Sequence, residues 1–263
     1  MPKRPDPHFV EIGSSGLEHY AGHVRDEWLN QLSGIRGVRV YREMRDNDPT
    51  VGGLLYAIEM LARSVRWFFE PADESNEAVF WADFANQCLE DMSMTWQDIL
   101  SEILTFLPFG WSFCEITYKI RKPIMGSRYA DGAVGWKSIS LRAQESLQRW
   151  EFNEAGDPVA MVQRAAPKFE LKTIPISKAL LFRLRSNKNN PEGRSLLRNA
   201  YRPFFFKKRL EEIEAVGIER DIAGLPVMQV PPEILKRNAG PEAASTRSKL
   251  ESLVMKVRRD SMA

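Results

Sequence analysis

The sequence predicts an α+β fold. Apolar residues recur at helical spacing through residues 38–107. Aromatic and β-branched residues then alternate between polar ones from about residue 109 to 185. One long helical stretch follows from residue 195. Helices first, strands next and a helix after them is the pattern of helices packed against a sheet rather than alternating with its strands.

Residues 1–37 read as a flexible, Gly-rich arm in which Trp28 and Leu32 anchor a short helix. In "DNDPTVGGLLYAIEMLARSV" an Asp-Pro pair opens a helix, and Val51, Leu54, Leu55, Ile58, Leu61, Ala62 and Val65 recur along it. "RWFFEP" reads as a short strand stopped by Pro71. "ESNEAVFWADFANQCLEDM" is a second helix, and "TWQDILSEILTFL" a third, with Thr95 as N-cap and Asp98 three residues on. "FGWSFCEITYKI", "GWKSISLR", "LQRWEFN", "PVAMVQRA" and "KALLFRL" are predicted strands of a mixed sheet, with a hairpin turn at "NEAGD". "VMQVPPEIL" reads as a strand ending at Pro231-Pro232, and "GPEAASTRSKLESLVMKVRRD" as a closing helix with Leu250, Leu253, Val254 and Val257 on one face.

The helix over 195–222 would be about 42 Å long at 1.5 Å per residue. Leu197, Ala200, Tyr201, Phe204 and Phe205 fall on one side, and Phe206, Leu210 and Ile213 on roughly the opposite one. Either Pro203 kinks the helix and re-aims the second stripe, or the helix packs on two sides at once. Its charges are segregated. Residues 196–210 hold Arg198, Arg202, Lys207, Lys208 and Arg209 without an acid, and residues 211–221 hold Glu211, Glu212, Glu214, Glu219 and Asp221 against Arg220 alone. That order opposes the helix dipole. A staggered copy of the same helix would match its basic half to its acidic half, as in a head-to-tail ring.

Catalytic signatures are sparse. The three histidines all lie in the arm, and His19 and His23 have helical spacing for two metal ligands but no third. "VGGLL" lacks the strand and the Lys-Ser/Thr of a phosphate loop. Cys88 and Cys114 form neither a CxxC pair nor a disulfide framework. Net charge is +2, so the overall charge points to neither a nucleic-acid nor a membrane surface. No stretch approaches a membrane span, and the start lacks the apolar core of a secretory signal.

"NPEGRSLLRNAYRPFFFKKRLEEIEAVGIERDIAGLPV" resembles the stem-helix region of tailed-bacteriophage portal proteins, in particular their Mu-like branch. "REMRDNDPTVGGLLYAIEMLARSVRW", "ILTFLPFGWSFCEITYKI", "LRAQESLQRWEFNEAGDPVAMVQ" and "IPISKALLFR" fit that family in the same order, so the resemblance covers roughly residues 38–263. It implies a wing of helices and mixed sheet over 38–194, a stem helix over 195–225 and the start of a clip over 226–263. Family members continue through the rest of the clip, a returning stem helix, a tunnel loop and a crown, so the chain is expected to be a shortened form.

The resemblance further implies a homo-oligomeric ring of twelve copies at one capsid vertex of the virion, assembled in the host cytoplasm. The implied partners are the large terminase subunit, head-completion or adaptor proteins, capsid and scaffold proteins, and double-stranded DNA passing without sequence specificity. It implies no catalytic residue, no metal, no cofactor and no membrane. In that setting Leu197, Tyr201, Phe204, Phe205, Phe206, Leu210 and Ile213 meet neighbouring subunits. Lys207, Lys208 and Arg209 either pair between subunits or face DNA. Two other readings compete: a nucleic-acid-processing enzyme holding magnesium through Glu115 or Asp221, and a peripheral membrane protein inserting residues 204–206.

Overall fold

The computed structural model describes residues 13–223, 228–236 and 240–260. It divides into two units, the first ending at Tyr201. The first unit begins with a hairpin of β1 (His19–Tyr20) and β2 (His23–Val24). The Trp150 N–H donates to the Gly22 carbonyl at 2.9 Å, His19 stacks on Phe152 with centroids 4.1 Å apart, and Val24 enters the core. The loose arm expected over 1–37 is thus, in its described part, docked. Its few apolar anchors, Leu17 and Val24, are too sparse to show a period. His19 and His23 sit on hairpin strands, not on one helical face. Leu32 is buried in a 3-10 turn, whereas Trp28 is 92% exposed and anchors nothing.

Helix α1 (Gly34–Asn47) starts within the expected arm and buries Val38, Tyr41 and Met44, three residues apart. Asp48 ends it and caps α2 (Pro49–Ser64), accepting from the Thr50 and Val51 N–H groups at 2.9 and 3.1 Å, with Pro49 at N1. No residue of α2 is fully buried: Val51, Leu55, Ile58 and Ala62 are half-buried, while Leu54 and Leu61 stand exposed, as does Val65 just after the helix. Residues 66–70 form no ladder, contrary to the predicted strand. The Asn86 side chain takes the place of a partner strand: it accepts from the Phe69 N–H at 2.7 Å and donates to the Phe69 carbonyl at 2.9 Å.

Helix α3 (Asn76–Glu90) is capped by Ser75. Helix α4 (Trp96–Ile103) is capped by Thr95, which accepts from the Asp98 N–H at 3.2 Å. The chain then breaks into a separate turn, α5 (Phe106–Phe109), closed by Gly110 at φ 94°.

The strands are β3 (Trp111–Ile120), β4 (Val134–Arg142), β5 (Leu147–Phe152), β6 (Pro158–Arg164), β7 (Leu171–Pro175) and β8 (Ala179–Arg183). They form two antiparallel sheets, ordered β4-β3-β8 and β5-β6-β7, rather than one mixed sheet. Short turns join β5 to β6 and β6 to β7 as hairpins, β3 reaches β4 through residues 121–133, and β8 returns after the second sheet to pair with β3.

Strand β3 is the hinge of the packing. Trp111 and Phe113 point to one face, where they meet Trp150, Met161 and Ile174 of the other sheet. Trp111 and Trp150 meet edge to face at 5.2 Å. Cys114 points to the other face and packs on Ile99 and Ile103 of α4 with Ile139 of β4. Sheet, sheet and helices make three layers.

Buried polar groups tie the helical layer to the hairpin after β3. Arg121 is 1% exposed and lies between the rings of Phe84 and Tyr129, at 4.7 and 4.1 Å, while bonding Gln87 and Asp131. Asp91 meets Lys119 at 3.0 Å and accepts from the Ser127 hydroxyl and the Arg128 N–H. Burial would raise the Asp91 pKa, but the Arg128 N–H, Ser127 and Lys119 outweigh it and hold the carboxyl below its usual range.

The second unit, described separately, contains α6 (Tyr201–Ala223), whose first residue closes the first unit, then α7 (Pro232–Leu235) and α8 (Pro241–Asp260). The predicted strand near 226–230 is not seen at Met228–Val230, and residues 226–227 lie outside the described ones. Pro231-Pro232 instead opens a helical turn, with proline at its first position.

Replacing Asp91 with Ala removes the counter-charge of the buried Lys119 ammonium, which keeps only the Asp91 and Gly126 main-chain carbonyls as acceptors. We expect a loss of about 3–5 kcal/mol, read as a lower urea midpoint with unchanged m-value. The contribution of Asp91 itself is present at neutral pH and is lost as pH falls through its depressed pKa.

Candidate assembly surface

The stem segment does not begin as one helix. Residues Leu196–Ala200 form a 3-10 turn and α6 starts at Tyr201. Ser195 caps that turn through the Leu197 N–H and donates its hydroxyl to the Pro108 carbonyl at 2.5 Å. Leu197 and Tyr201 are buried in the first unit's own core, so they leave the set of residues available to a neighbour. The later start also moves Pro203 into the first turn, where its missing N–H costs nothing. Neither a kink nor a re-aimed stripe is needed.

What remains is an exposed helix. Phe204 is half-buried, while Phe205, Phe206, Leu210, Ile213, Val216 and Ile218 are exposed. Leu210 and Ile213 are each about two-thirds bare, at 66% and 67%. Phe206, Leu210, Ile213 and Val216 follow one another at three- and four-residue steps, and Ile218 lies off that row. Arg202 lies over the Phe206 ring and Arg209 over Phe205, each at 5.6 Å. Lys207 reaches Glu211 at 3.9 Å and Arg209 reaches Glu212 at 3.2 Å. These exposed pairs contribute little. The apolar row is therefore the larger unsatisfied feature: rings and branched aliphatics left in water on this scale mark a contact surface.

The other candidate groups are accounted for within the fold. Glu115 is held by Arg142 at 2.6 Å in the sheet, and the Asp221 side chain lies outside the described residues. Cys88 and Cys114 are buried free thiols, and burial pushes Cys114 up to about 12, so it carries no thiolate at neutral pH. Among the described residues no group of three His, Cys, Asp or Glu is placed to hold a metal, and no helix is long and apolar enough to cross a membrane.

At the base of the 3-10 turn, Glu27 and Arg198 form a two-armed pair with both contacts at 2.6 Å. They border a cavity of about 270 Å³ that also receives Tyr41, Arg194 and Glu192. Glu192 accepts from the Trp150 indole N–H at 3.3 Å, and burial raises its pKa to about 7 against that bond.

Comparison of the whole chain with protein families identifies the class of protein. The family model for the portal protein of Mu bacteriophage matches residues 38–263. The chain belongs to the Mu portal family. No individual curated protein matches it significantly. The matched span starts inside α1 and takes in both sheets, α6 and α8; the docked hairpin, Glu27, the 3-10 turn at Asn30–Leu32 and the first residues of α1 precede it.

The Glu192 side chain gives this portal subunit a pH signature. Its folded pKa lies above the ordinary 4.5, so the stability tied to its protonated form is fully present below about pH 4.5 and is lost as pH rises to about 7. Glu192→Gln should match the parent near pH 4, become progressively more stable than it up to about pH 7, and keep a constant advantage above that. Thermal midpoints measured in parallel across pH 4–8 test this.

Proposed function

We propose that the chain is a structural subunit of the phage portal ring, through which double-stranded DNA is packaged and ejected. Family membership supports the class of protein. The observation that carries the assembly reading is the bare row of Phe206, Leu210, Ile213 and Val216 on α6, a surface that a neighbouring copy would cover. Copies set side by side in a closed head-to-tail ring bury such a row without leaving an open end. The segregated charges of α6 serve the same arrangement, since a staggered neighbour brings Lys207, Lys208 and Arg209 towards Glu211, Glu212 and Glu214. In this reading residues 38–194 form the wing, α6 the stem and residues 226–263 the start of the clip. Terminase and head-completion proteins dock on the assembled ring, and DNA slides through it without sequence readout.

Purified protein should appear in negative-stain images as rings with a central hole; a strictly monomeric species at all concentrations overturns the reading. Ile213→Asp provides the sharper test. The residue is exposed, so the subunit's own stability should change by no more than about 0.5 kcal/mol, while ring formation is lost. Native mass spectrometry showing intact rings from that variant removes the α6 row from the interface.

A further inference from the structure

The first unit separates its charges along the chain. Residues 67–118 hold ten carboxylates and no lysine, arginine or histidine. Residues 178–198 hold six lysines and arginines against Glu192 alone. Carboxylates at the sheet find cations, Asp91 at Lys119 and Glu115 at Arg142. Those on α3 and just before it do not. Asp73, Glu74, Glu77 and Asp83 are exposed, and none forms a salt bridge among the described residues. Glu77, Phe80 and Asp83 follow one another at three-residue steps, so one side of α3 is acidic with a ring in its middle. Phe80 is 59% exposed, and Trp81, edge-on to it at 5.2 Å, is 56% exposed. The basic stretch is equally bare. Arg185 and Arg194 are exposed, and neither forms a salt bridge among the described residues. Both line the cavity beside Glu27 and Arg198, and so does the bare Trp28.

The two surfaces lie at opposite ends of β3. Arg183, two residues before Arg185, pairs with Trp111 at its start. The Phe80 ring stacks 6.4 Å from Phe84, which lies 4.7 Å from the Arg121 guanidinium, just past the strand's other end. Trp111 and Ile120 are nine residues apart, about 30 Å at 3.3 Å per residue. No side chain spans that distance, so the acids of one chain cannot reach its own bare arginines. We propose that the Glu77–Phe80–Asp83 face of α3 docks on the Arg185–Arg194 rim of an adjacent copy of this chain. The carboxylates would meet the two guanidinium groups, and the Phe80–Trp81 pair would cover Trp28. Surfaces that complement each other from opposite ends of one body join copies head to tail, each giving one face and receiving one. The contact therefore rests on the ring reading above, while using none of the α6 residues.

Charge reversal on the full chain tests the proposal, with ring content read by native mass spectrometry. Glu77→Arg with Asp83→Arg should raise the protein concentration needed for half-maximal ring formation at least about tenfold, because like charges then face one another. Arg185→Glu with Arg194→Glu should do the same. All four positions are exposed, so the thermal midpoint of the subunit should hold. Combining the four changes in one chain rebuilds opposite charges on the two faces and should restore rings at the parent concentration. Normal rings from either reversed chain, or a combined chain that stays defective, overturn the inference and leave the ring reading standing. A parent chain that forms no ring at any concentration sinks both. Co-expressed Phe80→Cys and Trp28→Cys chains should give mixed disulfide-linked pairs under air oxidation; linkage only between like chains, or none, overturns the inference.

Discussion

Three stretches of backbone meet where α5 ends, and the rest of the first unit depends on how closely they can approach. Gly110 leaves α5 at φ 94°, and a Cβ there would stand 2.7 Å from the Glu192 carbonyl oxygen. A Cβ on Gly193 would stand 2.4 Å from the Gly110 carbonyl oxygen. With no side chains in the way, the Leu184 N–H donates to Gly110 at 2.8 Å and the Arg194 N–H to Leu184 at 2.7 Å. This crossing sits directly before β3 and directly after β8, so it sets the register of the two strands that share Trp111 and Arg183. It also leads, through Ser195 and its bond to Pro108, into the 3-10 turn from which α6 begins. Core register and the placement of the 3-10 turn at Leu196–Ala200 are thus tied to one local constraint.

The body below that crossing is conventionally stabilised. Its centre is aromatic, and its buried ions Asp91, Lys119 and Arg121 are paired or enclosed by rings. The contrast is with α2, α6 and residues 66–70, where apolar side chains stand in water although the helices and caps are well formed. Good local structure with poor burial is the physical mark of elements that complete themselves on another surface. For α6 the charge order adds to this, because acids at its far end and bases at its near end both oppose the dipole.

Much of the fold was legible in the sequence. Asp48, Ser75 and Thr95 stand where capping requires them, and the alternation of Trp111, Phe113 and Trp150 with smaller or polar neighbours marks strands that bury one face. The docked hairpin at residues 19–24 was not legible, because two anchors cannot declare a period. Strand β7 was missed because its only buried residue is Ile174. The 3-10 turn at Leu196–Ala200 was hidden by its helix-compatible residues, and with it went the assignment of Leu197 and Tyr201 to the outer surface. The α6 row was visible as a pattern, but only its exposure separates a core helix from an assembling one. Residues 66–70 read as a strand and form no ladder; what sequence does not reveal is that an asparagine, not a strand, meets the main chain of Phe69.

That asparagine has a bearing on solubility. The Asn86 amide spans the N–H and the carbonyl of Phe69 and then ends, so on that flank pairing stops after a single residue. Tandem aromatics on a naked ribbon are the usual seed for fibrils, in which each chain templates the next without limit. With Asn86 on one flank of Phe69, a strand could pair with this stretch only on the other flank.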